Sequence, residues 1–254
     1  MSAATFQKPL NCQIGPTCPR LRIVAVVLAA GTASRMGGRP KCLLLREGQT
    51  LLNRLLNALE QAGIDETVLV LGHNAELIQA ALSTRHQSSL PGQALPAMQV
   101  HQVLNPRPTD GQNSSLHLGL AKAANLQPQW LMVALADQPL LETDDLRALI
   151  AAVKASPTGT QLLQPWVDGQ PGNPVMMSEK VMSDLLDFSK GTSATGKPNP
   201  QDLPGGKEWR KLNPQHCHPW HSQNPHYQVD MDTPEDIEAL RAKYGIDLTW
   251  GTLP

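Results

Sequence analysis

Aromatic side chains make up only 4% of this 254-residue chain, and it has only four cysteines. So few rings cannot build a stacking platform for single-stranded nucleic acid, and the core must be aliphatic. An excess of either charge is also missing: 21 basic against 22 acidic residues leave a formal net charge of -1, with no long run of either sign. That balance excludes a sequence-independent grip on nucleic acid or an anionic membrane and confines any phosphate binding to a local site. The longest apolar stretch, Ile23 to Ala30, is far shorter than the roughly 20 residues of a bilayer span. Residues 1–21 lack the apolar centre of a secretory leader, because Lys8, Pro9, Asn11, Gln13, Pro16 and Pro19 interrupt them, and they read as a disordered tail. Cys12, Cys18, Cys42 and Cys217 are too scattered for a disulfide framework, which fits reduced thiols in a cytoplasm. Cys217 lies among His216, His218, His221 and His226, but without the paired-ligand spacing of a structural zinc site.

What is present alternates. Arg22 to Ala30 is a β-branched and aliphatic run with the character of a central strand covered on both faces. Leu51, Leu52, Leu55, Leu56 and Leu59 recur at helical spacing, and Thr67 to Leu71 is a second buried strand. A helix over Ala75 to Leu82, a strand over Met98 to Leu104, a helix over Ser114 to Ala124 and a strand over Trp130 to Ala136 continue the pattern. The fold class is therefore α/β, a doubly wound and mostly parallel sheet, in one domain over residues 22–246 with a C-terminal tail at 247–254. Beyond Asp137 the pattern predicts a helix from Glu142 to Ala155, a strand from Gln161 to Val167 and an extended segment from Asn173 to Met177 that forms a small subregion. A segment rich in Gly, Pro, Ser and Thr, about 189–208, reads as a mobile loop. A strand over Tyr227 to Met231 and a helix over Pro234 to Tyr244, with Thr233 as N-cap, complete the chain.

Chemistry concentrates directly after the first strand, in the loop from Leu28, Ala29, Ala30 and Gly31 through Arg35, Met36, Gly37 and Gly38 to Lys41. Strand ends are where open α/β sheets bind ligands. Small residues let the backbone approach a polyphosphate, and Arg35 and Lys41 can neutralise charge on a departing pyrophosphate. The plainer reading is a glycine-rich turn with solvated basic residues. The glycine spacing matches neither a Walker loop nor a dinucleotide fingerprint. Gly191 to Pro198 imitates a Walker loop, but Pro198 stands where a magnesium-binding hydroxyl is needed and no strand precedes it. Asp137 ends its strand at the same sheet edge as the loop, well placed for a hard oxygen ligand to Mg²⁺.

Leu-Ala-Ala-Gly-x-x-x-Arg-Met-Gly followed by Lys41 resembles the opening signature of the MobA-like nucleotidyltransferases, in particular their molybdenum cofactor cytidylyltransferases. Three further segments agree in order: Asn105-Pro106 with Gly111-Gln-Asn-Ser114-Ser115, then Ala136-Asp137-Gln138-Pro139, then Asp230-Met-Asp232-Thr-Pro-Glu235-Asp236. The resemblance implies an Mg²⁺-dependent enzyme. Asp137 would be its principal metal ligand, completed by Asp230 or Asp232, the latter having a helix-capping role as its alternative. Asn105, Gly111 and Ser115 would lie near base and ribose, where they also read as a turn leading to an N-cap at Ser114. Asn173 and Pro174 would face the acceptor. Ala30, where guanylyltransferases have glycine, implies CTP; physically, one methyl beside a base discriminates by ~1–3 kcal/mol. The implied acceptor is molybdopterin or its molybdenum-loaded form, with a molybdenum hydroxylase as user of the product. The alternatives are guanylyl transfer, transfer to a sugar or alditol phosphate, and a non-catalytic carrier of the cofactor.

Overall fold

The computed structural model describes residues 20–83, 98–190 and 200–251. The tail before residue 20 and the Walker-like segment lie outside them, as do residues 191–199 of the expected mobile loop. Eleven strands and seven α-helices are formed among the described residues. In order they are β1 (Ile23–Ala29), β2 (Leu44–Arg46), β3 (Gln49–Thr50), α1 (Leu51–Gln61), β4 (Glu66–Leu71), α2 (Ala75–Ser83), β5 (Gln99–Leu104), α3 (Gln112–Ala124) and β6 (Trp130–Leu135). Then come α4 (Thr143–Ala155), β7 (Leu162–Val167), β8 (Gln170–Pro171), β9 (Val175–Ser178), α5 (Glu179–Lys190), α6 (Gly206–Leu212), β10 (Cys217–His221), α7 (Pro234–Tyr244) and β11 (Thr249–Trp250). No helix among the described residues is long and apolar enough to cross a membrane.

The main sheet runs β10-β7-β9-β6-β1-β4-β5, with β8 paired to β7. β1 is parallel to β4 and β6, and β4 to β5, whereas β9 runs antiparallel to β6 and β7. Alternation along β1 sends Ala25 and Val27 to the face covered by α1, α2 and α4, and Val24 and Val26 to the face covered by α3, α5 and α6. Gly119 lets α3 sit close to the sheet, since a Cβ there would lie 2.5 Å from Val26 Cγ1. A smaller sheet, β11-β2-β3, stands to one side over a third apolar cluster containing Ala33, Met36, Leu44, Leu140, Met231 and Leu248.

Four expectations change. Tyr227 to Met231 is not a strand; Pro225–Tyr227 is a 3-10 turn. Its backbone is engaged elsewhere, because the Tyr227 carbonyl accepts from Asn173 N at 2.7 Å and the ring is edge-on to Trp220. The residue 206–208 end of the expected loop is the start of α6, where Glu208 Oε2 accepts from Gly205 N at 2.9 Å. β10 is an additional strand, unexpected because Pro219 interrupts it; it lies at the sheet edge, where proline is tolerated. Within the expected C-terminal tail, Thr249–Trp250 form β11, which pairs antiparallel with β2, Trp250 opposite Leu44.

Candidate active site

β1 and β6 end side by side, and the loops that follow them form a cleft of about 320 Å³. Leu28, Ala29, Gly31 to Arg35, Pro40, Lys41, Cys42, Ala136, Asp137 and Asp232 line it. The loop curls tightly: Ala33 has φ +50° and Gly37 and Gly38 have φ +65° and +79°. Only glycine adopts that region freely, so the Ala33 conformation costs about 1 kcal/mol and is held by its buried methyl and by the Met36 and Gly38 N–H groups donating to its carbonyl. Among the described residues nothing accepts from the N–H of Thr32 or Ala33, which leaves both for a ligand anion.

Lys41 is the centre of the charge arrangement. Its Nζ is 3.6 Å from Asp137 Oδ2 and in close contact with Asp232 Oδ1, while Arg35 Nη1 lies 3.8 Å from Asp232 Oδ2. Burial pushes the Asp137 carboxyl up to about 6; Lys41 opposes the shift, and Asp230 and Asp232 add to it. Asp230 is raised as well, first by desolvation and then by Asp232. Three carboxylates thus compete for two cations. The capping alternative for Asp232 does not hold, because Asp236 Oδ2 accepts from Thr233 N at 2.7 Å and Asp232 N at 2.8 Å, freeing the Asp232 carboxylate for the cleft. Cys42 is a thiol, pushed up to about 12 by burial and by Asp137, and is no nucleophile.

A second compartment of about 480 Å³ adjoins the first through Leu28, Gly31, Thr32 and Asp137. Ala30, Pro108, Thr109, Gln112, Ser115 and Leu135 complete its wall. Asn105 does not reach it. That side chain is buried and fully used, donating to Ser114 Oγ at 3.0 Å and Ser115 Oγ at 2.9 Å and accepting from Arg107 N. Its place is behind the wall, orienting Ser115. Gly111 is the N-cap of α3 with φ +99°, so the helix starts three residues earlier than the expected Ser114 cap, whose hydroxyl instead donates to the Gly111 carbonyl at 2.7 Å. Ala30 is buried, and a Cβ on Gly72 would fall 2.9 Å from its methyl. Ala30 thus lines this compartment while packing close against Gly72, just beyond β4. Gln112 was missed by sequence reasoning, although its i, i+3 spacing from Ser115 puts both on one helix face.

Asn173 and Pro174 line neither compartment. They are tied to the site through Gln138, next to Asp137, whose Nε2 donates to the carbonyls of Asn173 (3.3 Å) and Tyr227 (3.4 Å). His117 is buried, with Nε2 donating to the Pro204 carbonyl at 2.7 Å, and His101 meets Glu66 at 3.0 Å; neither lines the cleft.

Known proteins share both sequence and fold with this chain. The bifunctional protein GlmU of Solibacter usitatus is 32% identical over 174 residues, 67% of this chain and 34% of that protein. The CMP-5'-(3-aminopropyl)phosphonate synthase of Streptomyces rubellomurinus is 38% identical over 93 residues, 35% of this chain and 13% of that protein. The chain thus spans about a third or less of these curated relatives. Rv0371c from Mycobacterium tuberculosis superimposes with a TM-score of 0.61 at 26% identity, covering 87% of this chain and 97% of that one. The same protein in complex with manganese gives 0.59 at 24% identity, covering 87% and 99%. Residues 25–197, which carry the loop, Asp137 and both compartments apart from Asp232, match the MobA-like NTP transferase domain, and the chain belongs to that family of nucleotidyltransferases.

Proposed function

We propose that this enzyme transfers CMP from CTP to the phosphate of molybdopterin or its molybdenum-loaded form, releasing pyrophosphate and leaving the cytosine dinucleotide cofactor. The observation that carries it is the meeting of two compartments at Asp137, one lined by the glycine-rich loop with Arg35 and Lys41, the other walled by Gln112 and Ser115. A triphosphate in the first and a base in the second bring the α-phosphorus to Asp137. An acceptor phosphate is already ionised, so alignment and charge neutralisation by Lys41 and Arg35 suffice without a general base. The phosphonate synthase named for its CMP product supports a cytidine nucleotide joined to a phosphorus acid. Molybdopterin rests on the sequence resemblance alone.

The donor set fits Mg²⁺. Asp137, Asp230 and Asp232 offer oxygen ligands, and their mutual repulsion is what a divalent cation would relieve. Among the described residues no three acidic, histidine or cysteine side chains are grouped to cage an ion, so a metal here would draw the rest of its shell from water and phosphate. Asp137 with Asp230 or Asp232 would hold it, and when bound it would supply Lewis-acid neutralisation of the phosphates. The manganese complex of Rv0371c supports a divalent site in this fold.

The test is pyrophosphate release from CTP, GTP, ATP and UTP with Mg²⁺, each with and without molybdopterin. CTP-selective, pterin-dependent release is expected. GTP selectivity would make it a guanylyltransferase, release only with a sugar or alditol phosphate would replace the acceptor, and silence with every nucleotide would leave the carrier.

A further inference from the structure

The glycine-rich loop carries three cations, and only two of them face the cleft. Arg39 turns away: its guanidinium carbon lies 4.2 Å from the centroid of the Trp250 ring, and Nη2 donates to the Gly251 carbonyl at 3.2 Å. Trp250 is fixed by the pairing of β11 with β2, which puts it opposite Leu44, three residues beyond Lys41. Gly251 closes the contact, since a Cβ there would be 3.1 Å from Leu45 Cδ1. Between Ala33 and Lys41 the loop is also held from within and from its own side of the cleft. The Ala33 carbonyl takes Met36 and Gly38, the Met36 carbonyl takes the Arg39 N–H at 3.3 Å, and the Pro40 carbonyl takes Leu43 at 2.9 Å. Asn74 reaches the Gly38 carbonyl at 3.4 Å, and the Ala33 and Met36 side chains are buried in the third apolar cluster. Gly37 and Gly38, both at positive φ, are the points of greatest backbone freedom between that buried Met36 and Lys41. The Arg39 stack adds a hold from the C-terminal strand, one residue after the glycine pair and two before the lysine.

We infer that Arg39 and Trp250 are positioning residues that brace the phosphate-facing loop from the C-terminal strand and set the affinity for the nucleoside triphosphate. This rests on the nucleotidyltransferase reading of the cleft. A planar guanidinium stacked on indole is poorly replaced by lysine or an aliphatic side chain, whereas phenylalanine offers a weaker ring at the same place.

The experiment uses the full chain with Arg39→Met, Trp250→Ala, Trp250→Phe and the double variant Arg39→Met/Trp250→Ala. It measures kcat, KM for CTP with Mg²⁺, KM for molybdopterin and the melting temperature. Removing the stack is expected to raise KM for CTP about tenfold and leave KM for the pterin unchanged. Trp250→Phe should restore most of the loss, and the double variant should be no worse than the worse single. A lowered melting temperature with KM for CTP unchanged, or equal rises in both KM values, would overturn the brace. Amide hydrogen exchange separates the two readings: faster exchange at Gly37 to Lys41 in Trp250→Ala is expected, and unchanged exchange refutes the brace. If the wild type is silent with every nucleotide while that exchange still rises, the enzymatic reading fails and the brace stands.

Discussion

One methyl group at Gly119 tests whether the wall of the second compartment is set by helix-on-sheet packing. In Gly119→Ala the new carbon would sit 2.5 Å from Val26 Cγ1 and 3.0 Å from Val70 Cγ2. Both valines are completely buried on central strands whose backbones are held by parallel partners on each side, so the helix has to move rather than the sheet. Overpacking of this kind costs ~1–3 kcal/mol, and alanine recovers roughly 1 kcal/mol over glycine in a helix, for a net loss of about 1 kcal/mol. Val26→Ala alone should cost roughly 2–3 kcal/mol through lost burial and a cavity, but in the Gly119→Ala background the cavity receives the new methyl. The double variant should therefore be more stable than the sum of the singles by about 1–2 kcal/mol. Because α3 carries Gln112 and Ser115, its displacement in Gly119→Ala should also raise KM for the nucleotide, and Val26→Ala should partly reverse that rise. Urea denaturation of the four proteins, with nucleotide KM for each, checks both. Additivity within about 0.5 kcal/mol, or a Gly119→Ala protein more stable than the wild type, would refute the argument.

Two more predictions concern charge. Asp137→Asn should lower pyrophosphate release by about a hundredfold or more, yet leave the metal-free protein no less stable at pH 8, because it removes a carboxylate whose raised pKa makes ionisation in the fold unfavourable. That advantage should shrink as pH falls below about 6, where the wild-type group protonates; calorimetry with a chelator measures it, and a clear loss of stability at pH 8 would contradict the repulsion described here. His117 has its pKa lowered by burial, with the Pro204 contact opposing, so its stabilising contribution is present above the ordinary histidine value and is lost as pH falls through the lowered one. His117→Gln, which keeps a donor for the Pro204 carbonyl, should lose less melting temperature than the wild type between pH 7.5 and 5.

The periodic parts of the chain were legible because their pattern and their burial have the same cause. β1, β4 and β6 are apolar on successive residues because helices cover both faces, and α1 shows its leucines at helical spacing because one face lies on the sheet. The loop was legible because glycines and cations directly after a buried strand can serve few purposes. Contacts that depend on distant partners were not legible. Nothing local in Trp250 announces a guanidinium over its ring, and nothing in Asn105 says that its amide is spent on two serines instead of a base. α6 and β10 were hidden in stretches whose glycine and proline content suggested loop, and their positions come from packing: Trp209 is buried beneath α5, with its indole N–H donating to Asp184, and β10 is held by β7.

The misread segment shows how alternation can serve a site instead of a sheet. Tyr227, Val229 and Met231 alternate with Gln228, Asp230 and Asp232 as a half-buried strand would. The apolar members enter two different clusters, Tyr227 the one beneath α4 and Val229 and Met231 the one beneath the small sheet. Met231 is buried, and its N–H donates to the Asp137 carbonyl at 3.1 Å. A single apolar plug therefore fixes the backbone between Asp230 and Asp232 against the residue that ends β6, and the two flanking carboxylates project outward beside Asp137. The same cluster holds Ala33 and Met36 of the glycine-rich loop and Leu140 of the segment after Asp137. Packing of this third core thus brings three motifs, separated by about a hundred residues each in the chain, to one cleft and holds their charges at the spacing from which any catalysis there must start.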